Sequence, residues 1–184
     1  MQQPIEWNQA YERGKDYATL TTLQLTELIH MLPDDLGKRH LDIGCGTGQL
    51  NRDMFHRGYQ TIGIDTSDIA IKTADDSIDA NNQLICFQVG DVFGINERQF
   101  DLITCKYVYT FIDNKDIFLK KVSELIGDWG VFVIIDPNIL MLSDDKKPIA
   151  LTAEDVSSQL SRYFDVKIVN KSKDVYYVCR ERIA

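Results

Sequence analysis

Along the 184-residue chain, short β-branched runs alternate with stretches in which apolar side chains recur every three or four positions. That alternation predicts a parallel sheet with crossover helices. Residues 39–43, 60–64 (closing on Asp65), 83–89, 100–105 and 130–135 read as five strands. A helix is predicted from Gln49, with Leu50, Met54 and Phe55 on one face and Gly58 as its stop. A second follows the cap signal Thr66-Ser67-Asp68 and carries Ile69, Ile71 and Ala74; a third spans 114–126. Further on, Thr152 caps a helix reaching Leu160. Residues 164–169 and 174–179 are then two strands separated by only four residues, too few for a right-handed crossover, so they form an antiparallel hairpin. Ahead of the sheet, Leu20, Leu23, Leu28, Ile29 and Leu32 mark an amphipathic helix ended by Pro33, itself preceded by a polar segment holding Trp7, Tyr11 and Tyr17. The expected architecture is α/β and Rossmann-like. It is a seven-stranded sheet of five parallel strands plus a C-terminal antiparallel hairpin, with helices on both faces. Residues 1–38 form a helical cap on a main unit of 39–184, together one compact domain.

Charge narrows the partners. Twenty basic against 28 acidic residues give −8, which argues against a wide grip on phosphate backbones and makes nucleic acid an unlikely partner. The longest notable apolar run, 131–135, falls far short of the roughly 20 residues of a membrane helix, so no membrane role is expected. Met1-Gln2-Gln3-Pro4 lacks the basic-then-apolar order of a secretion signal. Cys45, Cys86, Cys105 and Cys179 form no CxxC pair and have no nearby His, so neither zinc nor a disulfide framework is indicated. They read as reduced thiols of a cytoplasmic protein.

The candidate chemistry sits in Leu41-Asp42-Ile43-Gly44-Cys45-Gly46-Thr47-Gly48-Gln49-Leu50. Three glycines at alternate positions between strand and helix let the backbone turn sharply and a ligand lie against it. Asp42 lies near the carboxyl end of a strand covered on both faces, where a carboxylate needs a partner. It either meets loop amides or helps hold a cationic ligand group. Asp65 ends the second strand, at the border of the crevice where open parallel sheets bind ligands, and a carboxylate there either accepts both hydroxyls of a ribose or only caps the next helix, a task Thr66 and Ser67 could do without it. No Lys-Ser or Lys-Thr follows the glycines, which excludes a Walker-type loop. The spacing is GxGxG rather than the dinucleotide GxGxxG, and Asp42 would repel a pyrophosphate. A phosphate-free, positively charged nucleoside fits better.

With these residues the chain resembles a class I S-adenosylmethionine-dependent methyltransferase from about Arg39 onward. Leu41 to Gly48 resembles the glycine motif of that family, Ile62-Gly63-Ile64-Asp65 its ribose motif, Gly90-Asp91-Val92-Phe93 its adenine motif and Phe100-Asp101-Leu102-Ile103-Thr104-Cys105 its fourth-strand motif. The resemblance implies S-adenosylmethionine as cofactor, held by Asp42, Gly44, Cys45, Gly46 and Gly48, by Asp65 and Thr66, by Asp91 and Val92, and at Cys105. Asp91 would meet the adenine amino group and the backbone of Val92 the ring, while Ile69 and Phe93 either flank the adenine or belong to the core.

Departures from the family shape the substrate expectation. After the fourth strand comes Lys106-Tyr107-Val108-Tyr109, with neither an Asn/Asp-Pro-Pro-aromatic motif nor a Pro-Cys, which again disfavours nucleic acid. The His pair of many small-molecule members is replaced by Tyr109-Thr110-Phe111, and no metal-binding acidic cluster is evident beside Asp136. His30, His40 and His56 read as structural. Methyl transfer is an in-line displacement in which the protein supplies position and a dry pocket. Lys106, Tyr107 and Tyr109 are the catalytic candidates; Tyr11, Tyr17, Asp136 and Asn138 are candidates for the acceptor. The additions to the sheet are too small for a recognition domain, so the expected acceptor is a small organic molecule. Two alternatives stay open: a non-catalytic S-adenosylmethionine binder serving a partner, and a nicotinamide-dependent oxidoreductase. Oligomeric state is not readable.

Overall fold

A computed structural model describes residues 4–16, 19–79, 82–96, 99–143 and 151–181. Seven strands form one sheet: β1 (Arg39–Ile43), β2 (Gln60–Asp65), β3 (Ile85–Val89), β4 (Phe100–Lys106), β5 (Ile126–Pro137), β6 (Phe164–Asn170) and β7 (Asp174–Glu181), in the order β3-β2-β1-β4-β5-β7-β6. β1 to β5 pair in parallel, and β7 runs antiparallel to both β5 and β6. The hairpin forced by the four-residue link is therefore present, with the last strand inserted between its two neighbours. The third strand begins at Ile85, later than its sequence suggests, because the Asn82 side chain takes the Leu84 amide and holds a turn there. The fifth is longer, because Ile126 already pairs with Phe100 across an irregularity before Val131 meets Leu102.

The helices are α1 (Pro4–Glu12), α2 (Thr22–Met31), α3 (Gln49–Phe55), α4 (Asp68–Asp75), α5 (Lys115–Leu125) and α6 (Ala153–Leu160). Their starts follow from side-chain caps: Thr21 with Gln24 in a capping box, Ser67 on Ala70 N–H, Asn114 on Ile117 N–H and Thr152 on Asp155 N–H. Strand alternation splits the core in two. Leu102, Val131, Val133, Ile135 and Tyr176 face α2 and α3, while Ile103, Phe132, Ile134 and Tyr177 face α5 and α6. Crossovers leave β1 toward β2 and β4 toward β5, so the order reverses between β1 and β4 and opens a crevice above their carboxyl ends. Among the described residues, no helix is long and apolar enough to cross a membrane.

Candidate functional site

The crevice is floored by the turn after β1. Gly44, Gly46 and Gly48 have φ of +73°, +54° and +77°, a region that costs any L side chain energy. At Gly44 space also forbids a side chain, since a Cβ would lie 2.2 Å from Val108 Cγ2 in the segment after β4. Asp65 braces the turn. Gly46 N–H donates to its Oδ2 and Ser67 N–H to its Oδ1, both at 2.9 Å. The carboxylate thus ties the glycine turn to the start of α4, a second cap beside the Ser67 hydroxyl. Each oxygen retains a lone pair, and the residue borders the cleft. Burial pushes its carboxyl up, against the pull of these amide bonds.

Gly44, Asp65, Thr66, Asp91 and Val92 share one cleft with Lys106 and Tyr107. Asp91 caps the short 3-10 turn Val92–Gly94, accepting Phe93 N–H at 3.0 Å, and Phe93 stands half-exposed at the rim. Trp7 and Tyr11 of α1 also line the cleft. The helix is moored by Asn8, whose amide donates to Asp68 and accepts from the Ser67 hydroxyl, each at 2.6 Å, and by the edge of Trp7 against Phe111. Burial and the carboxylates of Asp65, Asp16 and Asp42 hold the Tyr11 phenol protonated. Tyr17 lies outside the described residues.

Other predicted residues stand behind the cleft. Asp42 is buried under the glycine turn and accepts the Thr104 hydroxyl at 2.6 Å; burial, opposed by Thr104 and Lys106, raises its pKa to about 7. Cys45 and Cys105 have buried side chains in apolar clusters, where burial pushes both thiols up, so only their backbones can meet a ligand. Gly48 starts α3, and a Cβ there would strike the Phe87 ring. Ile69 is half-buried and does not line the cleft.

Two candidates are corrected by their positions. Tyr109 is fully buried in the core against Phe118, with its hydroxyl on Gln159 at 2.8 Å, because the 3-10 turn Tyr109–Phe111 rotates it beneath the sheet edge. It is not an acceptor-facing tyrosine. Asn138 caps the 3-10 turn Ile139–Met141 and is tied to Lys171 and Lys173 of the β6–β7 link, away from the cleft. Asp136, at the end of β5, is buried on the α5 side of the sheet. Its Oδ1 has no hydrogen-bond partner among the described residues, and burial lifts its pKa to about 7 despite Lys115 nearby.

Around the end of β4 the structure adds Gln24 and Asp174, which sequence reasoning missed, to the candidates Lys106 and Tyr107. Tyr107 adopts φ +56°, a strained conformation for a bulky residue. Its amide donates to Ile135 O at 2.8 Å and its hydroxyl donates to buried Asp174 at the start of β7. The other Asp174 oxygen receives the Gln24 amide, so the residue that completes the α2 capping box also reaches the last strand. Lys106 donates to Thr19 O at 2.7 Å and packs over the Tyr107 ring at 4.0 Å; burial lowers its pKa to about 8 against the carboxylates of Asp174, Asp42 and Asp16. No local motif announces Gln24 or Asp174, which lie 150 positions apart. The available signal was a polar residue at each element's first turn.

A family model described as "Methyltransferase domain" matches residues 34–181. The chain belongs to that family, and its fold is that of the class I S-adenosylmethionine-dependent methyltransferases. A ubiquinone biosynthesis O-methyltransferase of Glaesserella parasuis is 30% identical over 105 residues, 53% of this chain and 44% of that protein. The chain spans less than half the length of that relative. The crystal structure of a SAM-dependent methyltransferase from Aquifex aeolicus superposes with a TM-score of 0.77 at 14% identity, covering 97% of this chain and 98% of that one. A TehB-like SAM-dependent methyltransferase from Corynebacterium glutamicum does so with 0.68 at 20% identity, covering 97% and 95%.

The cleft suits this cofactor class. Its wall offers Asp65 and Asp91, glycine backbone and the apolar Val92 and Phe93, and Lys106 is the single basic residue among its described lining residues. Such a donor set accepts hydroxyls and cations and disfavours a pyrophosphate.

Proposed function

We propose that this domain transfers a methyl group from S-adenosylmethionine to a small organic acceptor. The observation that carries this reading is the placement of Asp65 and Asp91, from the tips of two adjacent strands, in one cleft over the glycine turn. Asp65 would accept the ribose diol through its remaining lone pairs. Asp91 would accept the adenine amino group, with Val92 and Phe93 against the ring. Gly44 and Gly46 would supply close backbone, and the buried Asp42 a negative charge beneath it. The cofactor supplies a methyl group already activated on a sulfonium.

What remains for the chain is to position the acceptor and exclude water. Lys106 and Tyr107 face the cleft from the end of β4. Lys106, poised near pH 8, can take a proton at Nζ from an acceptor hydroxyl, and Tyr107 can orient that hydroxyl. The name of the Glaesserella parasuis relative supports oxygen as the acceptor atom. Calorimetry with S-adenosylmethionine, S-adenosylhomocysteine, NAD and NADP tests the cofactor: heat from a dinucleotide alone rejects it. Turnover against a panel of phenolic and carboxylate acceptors tests the reaction. Tight cofactor binding with no turnover across the panel would instead support a binding role.

A further inference from the structure

Beneath the glycine turn, four buried polar side chains that the proposed reaction does not use lead to Asp42. Asn51 Nδ2 of α3 meets Thr61 Oγ1 of β2 at 2.7 Å. Thr61 Oγ1 meets His40 Nδ1 of β1 at 2.9 Å, His40 Nε2 meets Thr104 Oγ1 of β4 at 2.8 Å, and Thr104 donates to Asp42 at 2.6 Å. All five residues are buried, His40, Asn51 and Thr104 completely. With Asn51 turning Nδ2 toward Thr61 and leaving its Oδ1 without a partner among the described residues, proton counting gives one direction. The Asn51 amide can only donate at Nδ2, so the Thr61 hydroxyl proton is free to go to His40 Nδ1. His40 then carries its proton on Nε2 and donates to Thr104, whose own proton goes to Asp42. Each hydroxyl and ring proton is used once and the series ends on a carboxylate. The reverse order would need a proton on Asp42 and would leave the Thr61 hydroxyl facing the Asn51 NH2 with nothing to accept it. His40 stays neutral throughout, since burial lowers its pKa to about 3.

We propose that Asn51, Thr61, His40 and Thr104 are positioning residues that keep Asp42 charged beneath the cofactor's cationic end. This rests on the functional reading above, for Asp42 matters only if the cleft takes a cationic ligand. Burial alone favours the neutral acid, and the Thr104 hydroxyl opposes it. The other groups acting on Asp42 are Lys106 and Cys105 of β4, Asp65 at the tip of β2, Cys45 in the glycine turn and Tyr11 of α1. Lys106 alone among them favours the charged form.

The test compares S-adenosylhomocysteine affinity from pH 6 to 8.5 in the wild type, Thr104→Val and Thr104→Ser. Affinity in the wild type should improve as pH rises through the Asp42 midpoint. Thr104→Val, which removes the donor at constant volume, should shift that midpoint upward by about one pH unit. It should bind about tenfold more weakly than wild type near pH 6.5 and come within about twofold at pH 8.5, and Thr104→Ser should restore the wild-type curve. A merely structural role would lower affinity by the same factor at every pH, and that result, or a curve matching wild type, overturns the proposal. Nitrogen NMR of the wild-type His40 ring needs no variant: Nε2–H at pH 8 supports the chain, and Nδ1–H overturns it. A wild type that binds no S-adenosylhomocysteine at any pH would overturn the functional reading, while the His40 tautomer would still decide the direction of the chain.

Discussion

The two halves of the sheet's carboxyl edge are built on different plans. At the tips of β2 and β3, carboxylates meet main-chain amides: Asp65 takes Ser67 N–H two residues on and Gly46 N–H of the glycine turn, and Asp91 takes Phe93 N–H. Over β4 to β7, side chains meet side chains from remote parts of the chain, as Tyr107 and Gln24 do on Asp174. The first half is set once β1 to β3 and the turns after them are formed. The second exists only when α2, β4 and β7 are all in place. Under the proposed function, the first plan holds the cofactor and the second faces the acceptor.

Substitutions can break that contrast. The largest effect is expected at Gly44→Ala, where a positive φ and the Val108 methyl both oppose a Cβ; urea unfolding should show a loss of about 3 kcal/mol or more. Adding Val108→Ala should recover part of it, because the clash goes and the backbone strain stays. Asp65→Ala should weaken S-adenosylhomocysteine binding by about 1.5–3 kcal/mol in calorimetry, with some loss of stability from the freed Gly46 and Ser67 amides. Unchanged affinity would remove Asp65 from the ribose.

At the end of β5, Asp136 probes a buried charge. Its folded pKa of about 7 lies above the unfolded value of 3.8, so the folded state binds the extra proton and the wild type loses stability as pH rises between them. Asp136→Asn carries no such charge. Its stability relative to wild type should therefore improve by about 2 kcal/mol between pH 5.5 and 8 in denaturant titrations. A constant difference would mean that Asp136 titrates as an ordinary carboxylate. The smallest effect separates two tyrosines: Tyr109→Phe should cost about 1 kcal/mol of stability and leave turnover unchanged, whereas Tyr107→Phe should lower turnover and spare cofactor affinity.

The same contrast explains what could be read in advance. Strand tips such as Asp65 and Asp91 were legible because hydrophobic alternation locates the strand and the next residues are turn formers. The hairpin was legible from a four-residue link. Tyr109 was misplaced because one residue of turn geometry decides whether a side chain after β4 faces the cleft or the core, and no local pattern encodes it. Asp174 was missed because it reads as the polar first residue of a hairpin strand. Its burial follows from β7 lying between β5 and β6, a long-range fact of pairing. His40 read as structural at a strand start, and its neighbours on β2 and β4 turn it into part of a buried relay.

The insertion of β7 between two earlier strands has a consequence for biosynthesis. As the polypeptide leaves the ribosome, β1 to β5 can assemble in order, but the slot beside β5 must stay vacant, or be filled by the wrong neighbour, until β7 emerges. A nascent chain would thus hold the glycine turn and the strand tips bearing Asp65 and Asp91 before the wall containing Asp174, and both core layers wait for the β7 side chains.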